Sequence, residues 1–270
     1  MNLTGKTIFV TGVGTTGMGE ATAKQVIQLG GQVVLSCHPD IIKRAKGQAE
    51  ELGGALVIPC DLGDDDSVAQ LASDLRAKGV LLDGALHSVA FASREALGKD
   101  TINDLTTAEM MEAINVSGVS LQRLIRHLLG NGVVESVFAQ TASIVTITFG
   151  LATERVVFPY HVMALAKAVL EELVIYEAAT LGPSIRVNAV NAGATRTTAG
   201  KGITDFTQML KASAAVAPLK CNVTPKDVAN AVCFLLSPAS SVITGHFLTV
   251  DAGLRILADT SAPASATPAE

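Results

Sequence analysis

The stretch TIFVTGVGTTGMGEATAKQVIQLG, Thr7 to Gly30, joins a short apolar run to a glycine-rich turn and then to a helical period. Glycines 12, 14, 17 and 19 allow backbone N–H groups to approach a pyrophosphate closely, with Met18 in the same turn. The helix that opens there adds the partial positive charge of its N-terminus. A glycine-rich stretch by itself is also an ordinary tight turn. Its place between a first strand and a first helix, at the head of a regular alternation, is what points to a dinucleotide.

That alternation runs through most of the chain. Apolar runs predict strands at Thr7–Thr11, Gln32–Cys37, Ala55–Cys60, Gly84–Ser88, Ser143–Phe149, Arg186–Asn191 and Phe247–Val250. Helical periodicity covers Gly19–Leu29, Ser67–Arg76, Ala108–Leu129, Val162–Leu181 and Pro225–Leu236. The strands are continuously apolar rather than alternating, as in a parallel sheet covered on both faces. Repeated strand–helix–strand units require right-handed crossovers. The expected architecture is therefore a single-domain Rossmann fold over 1–257, a doubly wound parallel sheet of about seven strands flanked by helices. Residues 258–270 lack the apolar side chains needed to offset ordering entropy and read as a disordered tail.

Composition narrows the function. The 270 residues are 49% hydrophobic, and their net charge of −5 argues against nucleic-acid or anionic-membrane partners, which need a basic field. No apolar run reaches the ~18 residues of a membrane span. The four cysteines at 37, 60, 221 and 233 form no paired motif and have no histidine cluster beside them. They read as thiols of a reducing, cytoplasmic compartment, and no metal site is expected.

Further residues suit the same cofactor. Asp61 ends the third strand, where its carboxylate accepts from an adenine amino group or caps the next turn; Leu62 stands beside it. At the end of the second strand Cys37 and His38 occupy the place where an acid usually holds the ribose hydroxyls of NAD. Lys43 and Arg44 follow, either as binders of a 2′-phosphate or as helix-surface charges. With no basic residue at the strand's very end, NADH is favoured over NADPH.

The chemistry rests on YHVMALAK, Tyr160 to Lys167. A tyrosine hydroxyl alone, with a pKa near ~10, is a poor acid at neutrality. A nearby ammonium favours the phenolate and makes the hydroxyl a stronger donor to a developing oxyanion. Seven positions are about two helical turns, so both side chains share one face.

These motifs together resemble the short-chain dehydrogenase/reductase superfamily, and within it the bacterial enoyl-acyl-carrier-protein reductases. The main branch separates Tyr and Lys by three residues; the enoyl reductases separate them by six, as here. LDGALHSVAFA (82–92) resembles the family's fourth strand and the loop beneath the nicotinamide. ATRTTAGKGITDFTQMLKASAAVAPLK (194–220) resembles its substrate-binding loop and helix, and VTPKDVANAVCFLL and ITGHFLTVDAG match its last helix and strand.

The resemblance implies that Tyr160 bonds a thioester carbonyl and that Lys167 bonds the nicotinamide ribose. It places Ser88, Val89 and Ala90 along the cofactor, with Gly193, Thr195 and Thr197 at its carboxamide end. It also implies hydride transfer to the β-carbon of an enoyl thioester, carried on acyl carrier protein or coenzyme A. Phe149 stands where many enoyl reductases have a second active-site tyrosine, as in the mycobacterial enzymes. GNGVVESVFAQTA (130–142) looks like an insertion.

INVSG (114–118) resembles the main branch's NVxG element, whose asparagine relays protons in carbonyl reduction, so Asn115 is either catalytic or a buried helix polar group. Two other functions stay open: a carbonyl or alcohol oxidoreductase of the same fold, and a nucleotide-binding protein without turnover. Helical patterns 108–129 and 160–181 carry apolar residues beyond one stripe and need a second partner, and the resemblance implies a homotetramer, or at least a dimer, built on them.

Overall fold

The computed structural model describes residues 1–14, 16–133, 135–157, 160–196 and 206–257. In chain order the elements are β1 (Thr7–Val10), α1 (Met18–Gln28), β2 (Gln32–Cys37), α2 (Ile42–Glu51), β3 (Leu56–Pro59), α3 (Asp65–Ala77), β4 (Leu82–His87), α4 (Arg94–Leu97), α5 (Thr107–Ile114), α6 (Ser120–Leu129), β5 (Phe138–Thr148), α7 (Gly150–Glu154), α8 (His161–Leu181), β6 (Ile185–Ala192), α9 (Phe206–Val216), α10 (Pro225–Leu236) and β7 (Phe247–Val250). All seven strands pair in parallel, in the order β3-β2-β1-β4-β5-β6-β7. The order reverses between β1 and β4, and a crevice opens there at the carboxyl ends of the strands.

Strand residues point alternately into two layers. Ile8, Val10, Leu35, Leu86, Val145 and Val190 pack with Val26 of α1, Ala45 of α2 and Val232 of α10. Phe9, Val34, Ala85, Ile144 and Val187 pack with Leu71 of α3, Leu124 of α6 and Leu170 of α8. Covering both faces explains why the strands lack polar alternation. Local signals fix the helix starts. Thr106 and Glu109 form a capping box at α5, and Thr224 and Asp227 form one at α10, where Pro225 takes the first helical position.

Two elements differ from the sequence reading. The helix expected over 108–129 is interrupted at Asn115–Val119, which forms a π-turn between α5 and α6. Ser120 Oγ donates to the Val116 carbonyl at 2.6 Å, giving that backbone group a partner outside the α-helical ladder. Gly118 faces α8 so closely that a Cβ there would lie 2.9 Å from the Ala166 carbonyl oxygen. The second difference is β5, which begins at Phe138 rather than 143, so the last part of the expected insertion is strand. Gln140 and Thr141 are exposed there, and an apolar-run criterion passes over them.

The switch point depends on one glycine. Gly12 has φ +73°, and a Cβ on it would lie 2.0 Å from the Ser88 carbonyl oxygen. Gly12→Ala is expected to cost at least about 2 kcal/mol from backbone strain and overpacking together. Gly47 of α2 has nothing within 4 Å of such a Cβ. Gly47→Ala should therefore stabilise by about 0.5–1 kcal/mol, as alanine does in a helix interior. Urea unfolding of both variants checks the opposite signs.

Candidate active site

β1 is followed by Thr11, whose hydroxyl accepts from the Ser88 amide at 2.9 Å and donates to the Leu86 carbonyl at 3.2 Å. The glycine turn is thereby locked to the loop after β4, and Gly12 faces Ser88 and Val89 across the switch point, with Ala90 next along that loop. The Gly14 amide donates to Gln48 Oε1 of α2 at 2.7 Å. Gly17 caps α1 in an extended conformation with no side-chain cap, and a Cβ on Gly19 would meet the Thr11 carbonyl at 2.8 Å. A helix start capped by a glycine, behind glycines that leave no room for side chains, fits a pyrophosphate. Met18 packs its side chain into the α1–α10 layer, so only its backbone faces the turn.

Beyond the glycine turn, toward the β3 edge of the sheet, Asp61 accepts from the Gly63 amide at 2.8 Å, and its own amide donates to Ser67 Oγ at 3.0 Å. His38 stands between Asp40 and Asp61, with ring nitrogens 3.4 and 3.7 Å from their carboxylates. Leu62 is buried in the core and offers the crevice backbone alone. Arg44 reaches back to the glycine turn through a long 3.5 Å contact with Thr16 Oγ1. Cys37 and Cys60 are buried, and burial pushes each thiol up to about 11, away from thiolate chemistry.

Tyr160 caps α8, and Lys167 lies on the face of α8 turned toward β5. Lys167 is buried, and its Nζ donates to the Ile147 carbonyl at 2.9 Å. Desolvation holds the ammonium down to about 8, against a smaller upward pull from Glu171. The phenol of Tyr160 moves the other way from the sequence expectation. Burial raises it above the usual tyrosine range, and the Glu171 carboxylate adds to the rise. Phe149 meets Tyr160 edge-on, with ring centroids 4.9 Å apart and planes at 78°. Gly193 packs against Asp251 of the C-terminal turn, and Thr195 is buried with its hydroxyl donating to the Gly193 carbonyl at 2.8 Å. Thr197 lies outside the described residues.

Asn115 is turned away from this centre. Its Nδ2 donates to the Gly63 carbonyl at 2.9 Å, and its Oδ1 accepts from Arg123 Nη2 at 2.5 Å. Arg123 also donates to the Leu62 carbonyl at 2.7 Å. The asparagine thus braces the loop after β3 from the π-turn, the bland alternative of the two readings.

Several supporting residues were not singled out from sequence. Ser117 of the π-turn accepts from the Phe91 amide at 2.7 Å and donates to its carbonyl at 2.8 Å, pinning the loop after β4. Asn191 at the end of β6 accepts from the Gly150 amide at 2.6 Å and fixes the turn that follows Phe149. Thr148 donates to Glu171 at 2.5 Å. Nothing local marks these residues, because each is defined by a partner 20 or more positions away. Among the described residues no group of His, Cys, Asp or Glu could hold a metal ion, and no helix is long and apolar enough to cross a membrane.

The sequence profile of the family described as enoyl-(acyl carrier protein) reductase matches residues 12–255. The enoyl-[acyl-carrier-protein] reductase [NADH] FabI of Salmonella typhimurium is 35% identical over 262 residues, 95% of this chain and 96% of that protein. Its Escherichia coli counterpart is 34% identical over the same extent. Among solved structures, the Bacillus cereus enoyl-acyl carrier protein reductase with NADP+ and indole naphthyridinone superposes with a TM-score of 0.88 at 32% identity, covering 95% of this chain and 99% of that one. The Anaplasma phagocytophilum reductase in complex with NAD gives a TM-score of 0.87 at 30% identity and 98% coverage of both chains.

One buried group near the centre makes stability depend on pH. His87 is enclosed, with Nδ1 2.9 Å from Thr146 Oγ1 and Nε2 2.9 Å from Ser120 Oγ. Since the Ser120 hydroxyl donates to Val116, it accepts from Nε2–H, and burial disfavours a charge on the ring. Burial, with a smaller push from Lys167, holds its pKa down to about 3. The unfolded histidine titrates near ~6.5. Its contribution is therefore complete above that pH and is lost as pH falls toward 3. His87→Gln should remove about 2 kcal/mol of the stability difference between pH 7 and pH 5. Urea unfolding at the two pH values measures it, and an unchanged difference would count against the neutral ring.

Proposed function

The chain belongs to the enoyl-(acyl carrier protein) reductase family, and we propose that it reduces the 2,3 double bond of an enoyl thioester with a nicotinamide cofactor. The observation that carries this reading is the Tyr160–Lys167 pair on one face of α8, six residues between them, at the carboxyl edge of the sheet.

Reduced nicotinamide, when bound, supplies the hydride. Gly12, Gly14, Gly17 and Gly19 with the α1 N-terminus would hold the pyrophosphate. His38, Asp61 and the Leu62 backbone would hold the adenosine end, and Ser88, Val89, Ala90, Gly193, Thr195 and Thr197 the nicotinamide end. An ammonium has three N–H donors. Lys167 directs one to Ile147 and has others for the ribose hydroxyls.

As the β-carbon is reduced, negative charge gathers on the thioester oxygen, where the Tyr160 hydroxyl donates a hydrogen bond. The raised pKa keeps that hydroxyl protonated through the physiological range, so it acts as a donor and not as a base. The α-carbon then takes a proton. Phe149 backs the phenol and adds no second hydroxyl. Asn115 at the reacting centre would have favoured the carbonyl-reductase reading, and the partners of that side chain weigh against it.

The cofactor is NADH or NADPH. Asp40 and Asp61 around His38 disfavour a 2′-phosphate and support NADH, while Lys43 and Arg44 are the opposing charges, Arg44 reaching Thr16 of the glycine turn. The acyl group is carried on acyl carrier protein, as in the names of the relatives. The buried thiols suit a reducing cytoplasm. Met111 of α5 and Ile175 and Tyr176 of α8 are exposed, whereas Leu121, Leu124, Leu170 and Val174 fill the core. These outward apolar faces support a homotetramer built on α5 and α8.

Crotonyl thioester should be turned over faster than acetoacetyl thioester, and NADH should be at least about tenfold more efficient than NADPH, a difference of ~1.4 kcal/mol. Tyr160→Phe should lower kcat at least about a hundredfold, the usual cost of a lost oxyanion donor. Lys167→Ala should lower kcat and also weaken cofactor binding. Faster reduction of the keto substrate would transfer the protein to carbonyl chemistry.

In sedimentation at micromolar concentration the protein should run at about four times its 27.8 kDa chain mass. A single-chain species alone would refute the assembly.

A further inference from the structure

α8 reaches the end of β5 at two successive turns. Lys167 Nζ holds the Ile147 carbonyl at 2.9 Å. One turn on, Glu171 Oε1 accepts from the hydroxyl of Thr148, a buried residue, at 2.5 Å. The next two residues of the chain are tied as well, Phe149 by its edge-on contact with Tyr160 and Gly150 by Asn191. Four consecutive residues, 147 to 150, are thus held from outside their own strand. A hydrogen bond to a carboxylate is stronger than one between neutral groups. The Thr148–Glu171 contact is therefore a firm link between the strand and the helix that carries the reacting pair.

The charge on Glu171 acts at the same place. Positions four apart on a helix are neighbours, so the carboxylate stands one turn from the Lys167 ammonium. The other titratable groups coupled to this cluster offer Lys167 no competing negative charge. His87 of β4 is neutral, Tyr160 is protonated, and Arg255 of the C-terminal turn is cationic and paired with Glu154. A buried ammonium without a counter-charge is costly and tends to release its proton.

We propose that Glu171 is a positioning residue of this centre, seating the end of β5 against α8 through Thr148 and supplying the negative charge that partners the Lys167 ammonium. The proposal rests on the reading that Tyr160 and Lys167 carry the reduction. Glu171 touches neither substrate nor cofactor in this role; it acts through Lys167, Thr148 and the strand end that supports Phe149. It adds to the rise that burial imposes on the Tyr160 phenol and opposes part of the fall that burial imposes on the ammonium.

The test is an NMR titration of 13Cε-labelled lysines, with the Lys167 signal identified by its loss in Lys167→Arg, beside the pH profile of kcat/KM with crotonyl coenzyme A and NADH. In the wild type the Lys167 midpoint should lie near about 8. In Glu171→Gln, which keeps the side-chain shape, it should fall by about one pH unit, the usual effect of losing a nearby opposite charge. The alkaline limb of the rate profile should move down with it. Thr148→Val, which keeps the charge and removes the link, should lower kcat and leave the midpoint in place, with Thr148→Ser restoring kcat. A Glu171→Gln midpoint equal to the wild type overturns the proposal. So does a Thr148→Val enzyme as active as the wild type. If the wild type fails to reduce the thioester, the functional reading fails, while the lysine midpoints still decide what Glu171 does.

Discussion

Burying an ammonium sets the terms for the whole active face. Lys167 sits between α8 and β5 in a layer otherwise filled by Leu, Val and Ile, where a charge is expensive unless it is bonded and compensated. The strand answers with a carbonyl from its own end, at Ile147. That arrangement requires α8 to lie close against the sheet and the π-turn to lie close against α8. Gly118 permits the second approach, since any side chain there would strike the Ala166 carbonyl. His87, nearby in the same interior, stays neutral and spends its ring nitrogens on Thr146 and Ser120. One buried lysine is thus tied to a helix contact and a strand terminus, and adds a smaller push to the burial that keeps His87 neutral.

The π-turn connects this centre with the rest of the crevice. Asn115 of the turn and Arg123 of α6 hold the loop after β3 through Gly63 and Leu62, and Ser117 holds the loop after β4 through Phe91. Those loops lie on opposite sides of β1, the strand that leads into the glycine turn. A regular α-helix would present its side chains at even angular steps. The extra residue of a π-turn changes that phase and lets neighbouring positions serve two loops at once. The NVxG-like sequence is thus a brace in this chain, and its asparagine is occupied by backbone and arginine.

The sheet and its layers were legible because they follow from local pattern. Continuously apolar strands and amphipathic helices can be read in windows of a few residues, and the glycine turn declares itself by spacing. The Tyr160–Lys167 pair was legible for the same reason, since seven positions along a helix fix a shared face. What escaped is what depends on partners across the fold. Thr148, Glu171, Asn191 and Ser117 are ordinary residues in sequence and gain meaning only from the bonds that tertiary packing gives them. The start of β5 escaped for a different reason. Its first residues include exposed Gln140 and Thr141, and strand pairing with β4 overrides their polarity, Leu82 matching Phe138 before a register shift.

The direction of the Tyr160 shift bears on the kind of catalysis proposed for this site. A base must give up its proton near the working pH, whereas a hydrogen-bond donor must keep it. Proximity to a lysine suggested a phenol eased toward ionisation. In the folded protein burial and Glu171 act against that, and the lysine commits a donor to the strand. A protonated phenol braced by Phe149 is poorly suited to abstract protons and well suited to stabilise charge on an oxygen. Conjugate reduction asks for that service, because the oxygen that gathers charge lies two carbons from the atom that receives hydride. Ketone reduction needs proton delivery at the oxygen of the very carbon being reduced, and so places a heavier demand on a proton relay. The one asparagine that the sequence offered for such a relay faces the other way, and the protein's acid–base balance thus agrees with its Tyr–Lys spacing.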